Sequence, residues 1–148
     1  MHALVSEAMK KAAIVWVTTS VEGTSYPMWC LPVDGALAVV IGGDEQPAPG
    51  LVEANTAIVS ARGDHGGRIV RWRVRIETIE PGTEQWIDIA TPLAGKRLNA
   101  SGPVEALVAK WTVGSVIARL VPIDDTIEAA QTSSGAAVPR PTPAANRT

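Results

Sequence analysis

Between Ile14 and Ile41 the chain reads IVWVTTSVEGTSYPMWCLPVDGALAVVI, three β-type runs separated by two turn signals with almost no residue to spare. Val, Ile, Thr and Trp fit a pleated, half-buried surface better than a helix, because their χ1 freedom is already restricted. Val21-Glu22-Gly23 supplies the first turn. Asp34-Gly35 supplies the second, since both residues tolerate the positive φ of a tight hairpin. The spacing predicts strands over Ile14 to Thr19, Thr24 to Leu31 and Ala36 to Ile41. Pro27 and Pro32 cannot donate to a ladder, so the middle strand belongs at an edge, or is bulged or interrupted near its ends.

The remaining elements are arranged around this meander. Leu4, Val5, Ala8, Met9 and Ala12 form one helical stripe ahead of it. After it comes a Gly- and Pro-rich loop, GGDEQPAPG at 42–50, then a short helix around Leu51 to Asn55 and a strand from Ala57 to Arg62. Gly63-Asp64-His65-Gly66-Gly67 connects to a fifth strand, Arg68 to Ile79, in which Val70, Trp72, Val74 and Ile76 alternate with Arg71, Arg73, Arg75 and Glu77. Thr83 is a plausible N-cap for a helix carrying Trp86, Ile89, Ala90 and Leu93, but Pro92 predicts either two short helices or one kinked helix. Pro103 opens a further helix through Trp111, and Val116 to Pro122 reads as a closing strand. From Ala129 the sequence AAQTSSGAAVPRPTPAANRT cannot bury enough apolar surface to offset its ordering entropy, which predicts a domain over 1–128 and a disordered tail over 129–148.

These elements predict a mainly β fold with short helices, a six-stranded antiparallel split barrel, since closure removes the edges a meander leaves. A chain of 148 residues is long enough for one self-sufficient core. The single Cys30, between Trp29 and Leu31, reads as a buried apolar residue in a reducing compartment. The formal charge of −2 argues against nucleic-acid binding, which favours a basic face. No apolar run approaches the roughly 20 residues that span a bilayer. A cytoplasmic protein is the expectation.

The segment EGTSYPMWCLPVDGALAVV resembles the second and third strands of the FMN-binding split-barrel superfamily, which includes pyridoxamine phosphate oxidase-like proteins and deazaflavin-dependent reductases. The resemblance is carried by Gly23, by Pro27 two residues before Trp29, and by Asp34-Gly35. VEANTAIVSARG, with Asn55, is similar to that family's short helix and following strand, and KRLNA and VIARLVP to its late helix and closing strand. What the resemblance implies is a homodimer holding FMN or a deazaflavin coenzyme at its interface, with Trp29 near the cofactor groove and oxidoreductase activity. One departure stands out. Family members that hold FMN place a Lys or Arg just before the short helix, whereas Gly43 to Gly50 has no basic residue and carries Asp44 and Glu45, which repel a phosphate.

Among individual residues, Arg71, Arg73 and Arg75 are the best candidates for binding an anion, because the guanidinium fork matches phosphate and carboxylate. Arg62 and Arg68 flank the glycine-rich loop 63–67 and can join such a site in a dimer groove. The competing reading is a solvated strand face, with the arginines paired to Glu77 and to acids across the strand. His65 beside Asp64 reads as an exposed loop histidine, and neither it nor His2 supports a metal site. No catalytic side chain is assigned. Asn99-Ala100-Ser101 matches a glycosylation sequon and, with no secretion signal expected, reads as a chance match. Of the five Trp, Trp16 and Trp72 are expected in the core. Two functions follow: a flavin- or deazaflavin-binding oxidoreductase, or a non-catalytic split-barrel dimer that has lost the cofactor or binds another small anionic ligand.

Overall fold

The structure is a computed structural model that describes residues 3–19, 24–62, 68–98 and 103–131, with the backbone alone described at 68, 98 and 124–131. The turn at 21–23, the Asp64-His65 loop, His2, the sequon at 99–101 and the chain from 132 onward lie outside the described residues.

Helix α1 (Ala3–Lys11) leads into β1 (Ile14–Thr19), β2 (Ser25–Trp29), β3 (Leu31–Val33) and β4 (Ala36–Ile41). Helix α2 (Leu51–Ala54) precedes β5 (Thr56–Arg62) and β6 (Arg68–Thr78). Helices α3 (Glu84–Leu98) and α4 (Val104–Gly114) then precede β7 (Val116–Gln131). All strand pairs are antiparallel, and the order is β2-β1-β5-β6-β7-β4-β3.

The two ends of that order, β2 and β3, are consecutive in the chain with only Cys30 between them. A sheet whose outermost strands are covalently joined has to curl back on itself, and the result is a seven-stranded split barrel. The six-strand expectation fails at this point. The run Thr24 to Leu31 is two strands, because the chain changes ladder at Cys30, after Pro27 and before Pro32. Both prolines sit on edge strands, where a missing donor is tolerated. Asp34 (φ 51°) and Gly35 (φ 80°) make the tight β3–β4 turn that the sequence predicts.

Two cores result. Val15, Val17, Val59, Val74, Trp72, Leu37, Val39 and Leu120 fill the barrel, capped by Val5, Ala8 and Met9 of α1. Ala38 and Val40, on the opposite face of β4, pack under α3 and α4 with Trp86, Leu93, Trp111 and Ile117. That is why all six residues of β4 are buried.

Helix α3 is one continuous helix with Pro92 inside it. Thr83 Oγ1 accepts from the Trp86 amide at 3.1 Å, as its predicted capping role requires. Pro103 is the residue ahead of α4 and keeps an extended conformation, one position earlier than expected. Strand β7 runs on past Pro122. After residues 123–126, which bulge out opposite Arg73, it pairs again from Ile127 against Trp72 to Gln131 against Arg68. The first three residues of the expected tail, 129–131, are therefore strand.

Candidate functional site

Strand alternation sorts the side chains of β1, β5 and β6 onto two faces. Val15, Val17, Ala57, Val59, Ala61, Val70, Trp72 and Val74 point into the barrel. The residues between them form the outer face, and the register fixes their neighbours. Pro27, Trp16, Ser60 and Arg71 form one row across β2, β1, β5 and β6. Ser25, Thr18, Ile58 and Arg73 form the next, and Arg75 lies beside Thr56. Trp16 stands two strands from Arg71, roughly 10 Å at the usual strand spacing. Thr18 and Ser25 share a 2.6 Å hydroxyl hydrogen bond on this face.

Trp16 is 49% exposed and Ile14 53% exposed. This corrects the expectation that Trp16 lies in the core. IVWV is apolar at every position, so the sequence shows no phase. The fold supplies one by burying Val15 and Val17. Trp16 is thus the functional candidate that sequence reasoning missed, and the run IVWVTT carries no alternation that could have revealed it.

Arg62, Arg71, Arg73 and Arg75 all belong to this outer face, Arg62 opposite Ile69. Arg71 and Arg75 are four residues apart, about 13 Å along a strand. Acids accompany the arginines. Arg75 lies 3.6 Å from Glu77, which also receives Arg119 Nη1 at 2.8 Å. The register sets Glu128 opposite Arg71, and the bulge containing Asp124 and Asp125 opposite Arg73.

Trp29 lies on β2. It pairs with Ile14 at the barrel seam and is half-buried against the core beneath α3 and α4, with β1 and β5 between it and β6. The fold thus brings the four arginines to one face, and Trp29, opposite Ile14, lies at the β2 margin of that face, two strands from β5 and three from β6.

The seam around Trp29 is closed by side chains. Gln46 Oε1 accepts from the Trp29 amide and Gln46 Nε2 donates to the Trp29 carbonyl, each at 3.0 Å, so the amide takes the place of a ladder partner. The Cys30 amide donates to the Ala13 carbonyl at 3.3 Å, and Lys96 Nζ donates to the Cys30 carbonyl. Cys30 is fully buried, and desolvation pushes its thiol up to about 11 against a smaller opposing effect of Lys96. A neutral buried thiol is no nucleophile.

The acidic loop has a different role from the one its sequence suggests. Asp44 pairs with Lys110 at 2.7 Å, and the hydrogen bond from that ammonium holds the Asp44 carboxyl below the usual range. Glu45, 3% exposed, accepts from Arg97 Nε at 3.1 Å and from the Trp111 indole at 3.0 Å. Both carboxylates are turned toward α3 and α4 and fasten the loop to them. Gly43 allows this close approach, since a Cβ there would meet the Gly114 carbonyl at 2.5 Å.

Clefts are also present among the described residues. One of about 330 Å³ is walled by Ile41, Pro47, Pro49, Val52 and Val116, and one of about 370 Å³ by Asp34, Glu84, Asp88 and Arg119. Among the described residues no three His, Cys, Asp or Glu side chains are placed to hold a metal, and no helix is long and apolar enough to cross a membrane.

No family model and no curated protein matches the sequence. Solved structures do match the fold. HutZ, the heme storage protein from Vibrio cholerae, superposes with a TM-score of 0.62 at 11% identity, over 86% of this chain and 92% of its own. A conserved hypothetical protein from Mycobacterium tuberculosis gives 0.61 at 13% identity, covering 96% and 91%. An FAD and heme binding protein from Mycobacterium smegmatis gives 0.57 at 13%, covering 97% and 88%. The chain therefore has the split-barrel fold, shared over nearly its whole length with proteins to which its sequence is barely similar.

Proposed function

We propose that this is a flavin- or deazaflavin-binding, oxidoreductase-like split-barrel protein, with an anionic cofactor held on the outer face of β1, β5 and β6 where two copies meet. The observation that carries the proposal is the meeting on one face of exposed Trp16 and Ile14 with Arg62, Arg71, Arg73 and Arg75. An aromatic surface suits a flat heteroaromatic ring, and a row of guanidinium groups suits the phosphate or carboxylate groups such cofactors carry. Exposed large apolar side chains on an otherwise polar strand face also suit burial against a second chain. When bound, the cofactor supplies the hydride chemistry. The chain's residues hold its anionic groups, seat its ring and exclude water. The reported ligands of structural neighbours, FAD and heme in the Mycobacterium smegmatis protein, agree with a large planar cofactor.

A second reading has its own support. Acids stand in register with Arg71 and Arg73 and beside Arg75, and the loop 42–50 offers no positive charge. On this reading the protein is a non-catalytic split-barrel dimer that has lost cofactor binding or takes another small anionic ligand.

Titration of the purified chain with FMN, FAD, a reduced-deazaflavin analogue and hemin separates the two, with tryptophan fluorescence and visible absorbance as readouts. The first reading expects saturable binding by a flavin or deazaflavin with quenching of Trp16 emission. Absence of binding below about 1 mM, or roughly −4 kcal/mol, for every flavin and the deazaflavin would remove it.

A further inference from the structure

The cleft of about 330 Å³ beside α2 is built from three pieces of chain. Ile41 and Val116, paired across β4 and β7, form one side, and Pro47-Ala48-Pro49 and Val52 of α2 form the rest. Val116 is 38% exposed, so a large apolar side chain of the cleft stays open to solvent. The volume falls at the small end of ligand sites, which run from roughly 300 to 1,000 Å³.

The loop that walls the cleft is tied down on its far side. Asp44 is paired with Lys110, Glu45 with Arg97 and the Trp111 indole, and Gln46 with the Trp29 backbone. The two prolines restrict φ in the segment that follows. A wall fixed in this way loses little freedom when a ligand enters.

The polar backbone of the wall is used within the chain. The Gly42 amide donates to the Gln46 carbonyl at 3.1 Å, and the Gly42 carbonyl accepts from Ser115 Oγ at 3.1 Å. The Ala48 carbonyl accepts from the Leu51 amide at 3.1 Å, and the Pro49 carbonyl from the Tyr26 hydroxyl at 3.4 Å. Pro47 and Pro49 have no N–H to offer. The cleft therefore presents apolar surface and one charge, because Glu53 is the single ionisable residue among those that wall it.

We propose that this cleft binds a small hydrophobic amine, an apolar body about the size of one aromatic ring carrying one ammonium group. The walls take the body out of water, and the exposed Glu53 carboxylate meets the ammonium. An exposed ion pair contributes little by itself, so the walls set the affinity and Glu53 sets the sign of the charge that is accepted. An anion of the same shape brings a second negative charge beside Glu53 and meets no basic residue in the wall. The site is independent of the proposed cofactor face, since none of Ile14, Trp16 or the four arginines walls this cleft.

Amide-resolved NMR titration of the full-length chain with phenethylamine, phenethyl alcohol and hydrocinnamate tests the inference, because the three probes share a body and differ in charge. The amine is expected to bind saturably in the millimolar range or below, with shifts concentrated at 41–53 and 116 and affinity at least about fivefold above that of the acid. Glu53→Gln is expected to lower the amine to the affinity of the alcohol. Val116→Trp, which fills the cleft, is expected to abolish binding of all three, with thermal unfolding confirming that both variants are folded. Absence of saturable shifts at the cleft for every probe, an acid bound as tightly as the amine, or an amine preference that survives Glu53→Gln overturns the inference and leaves the cofactor reading untouched.

Discussion

Glu45 shows how a single side chain acquires a role its sequence context does not announce. In the sequence it is one of two acids in a loop and reads as a charge that repels phosphate. In the fold it is buried and bound to Arg97 and the Trp111 indole, while Asp44 beside it is exposed and paired with equally exposed Lys110. Glu45→Ala leaves the buried Trp111 donor without an acceptor, and denaturant unfolding is expected to show a loss of about 2 kcal/mol. Asp44→Asn is expected to leave the midpoint unchanged at physiological ionic strength, where exposed pairs are screened. The Asp44 pair contributes only above the ordinary carboxylate range and is lost as pH falls through its lowered value. Cys30 behaves in the opposite sense. Burial pushes its thiol from the ordinary 9.0 up to about 11, so its contribution is complete below pH 9 and is lost as pH rises from 9 toward 11. Thiol labelling at pH 8 should be slow in the native protein and fast in denaturant, and Cys30→Ala should remove the difference in alkaline stability. Rapid native labelling would show that the seam opens.

At the scale of elements, the instructive segment is the seam. The barrel closes at the β2–β3 junction through Gln46, Lys96 and the Ala13 carbonyl, where a continuous ladder would ordinarily do so. Gln46→Ala removes both hydrogen bonds to Trp29 and is expected to cost about 1–3 kcal/mol. Amide exchange at Trp29 should accelerate more than in β5 or β6. Equal acceleration everywhere would mean that Gln46 supports global stability and has no local role at the seam. Thr83→Ala removes the cap of α3 and should cost about 1 kcal/mol.

Much at this scale was legible in the sequence. The β6 alternation, the Asp34-Gly35 hairpin and the Thr83 cap are local signals, each set by a few neighbouring residues, and each appears where expected. Pro27 and Pro32 announced an edge strand interrupted near its end, but the change of ladder at Cys30 was not legible, because it depends on what β1 and β4 offer on either side of it. The exposure of Trp16 was hidden because its neighbours are apolar on both faces. The bulge in β7 was hidden because a register shift is set by the partner strand. Pro92 was read as dividing or kinking the helix, and of the two α3 is the single helix, held by Ile89, Leu93 and Ala94 against the second core.

At the scale of the whole molecule, the barrel divides its surface between two tasks. The outer faces of β4 and β3 are covered by α3 and α4, and the outer faces of β1, β5 and β6 are left open with Trp16, Ile14 and the arginines. Trp29 lies between the two sides, opposite exposed Ile14 and partly buried against the core that α3 and α4 cover. In the proposed function the open side receives a planar anionic cofactor and a second copy. Charge reversal on the open side should weaken cofactor binding strongly, and salt should weaken it further, since the arginines sit on an exposed face.

The most direct test is a paired titration of the wild type and Arg73→Glu with FAD and a deazaflavin analogue, read by visible absorbance and tryptophan fluorescence, with thermal unfolding confirming that both are folded. An arginine-lined cofactor site on the open side predicts saturable binding by the wild type and at least tenfold weaker binding by Arg73→Glu, about 1.4 kcal/mol or more. Equal affinity of the two folded proteins, or no binding by either, would contradict it.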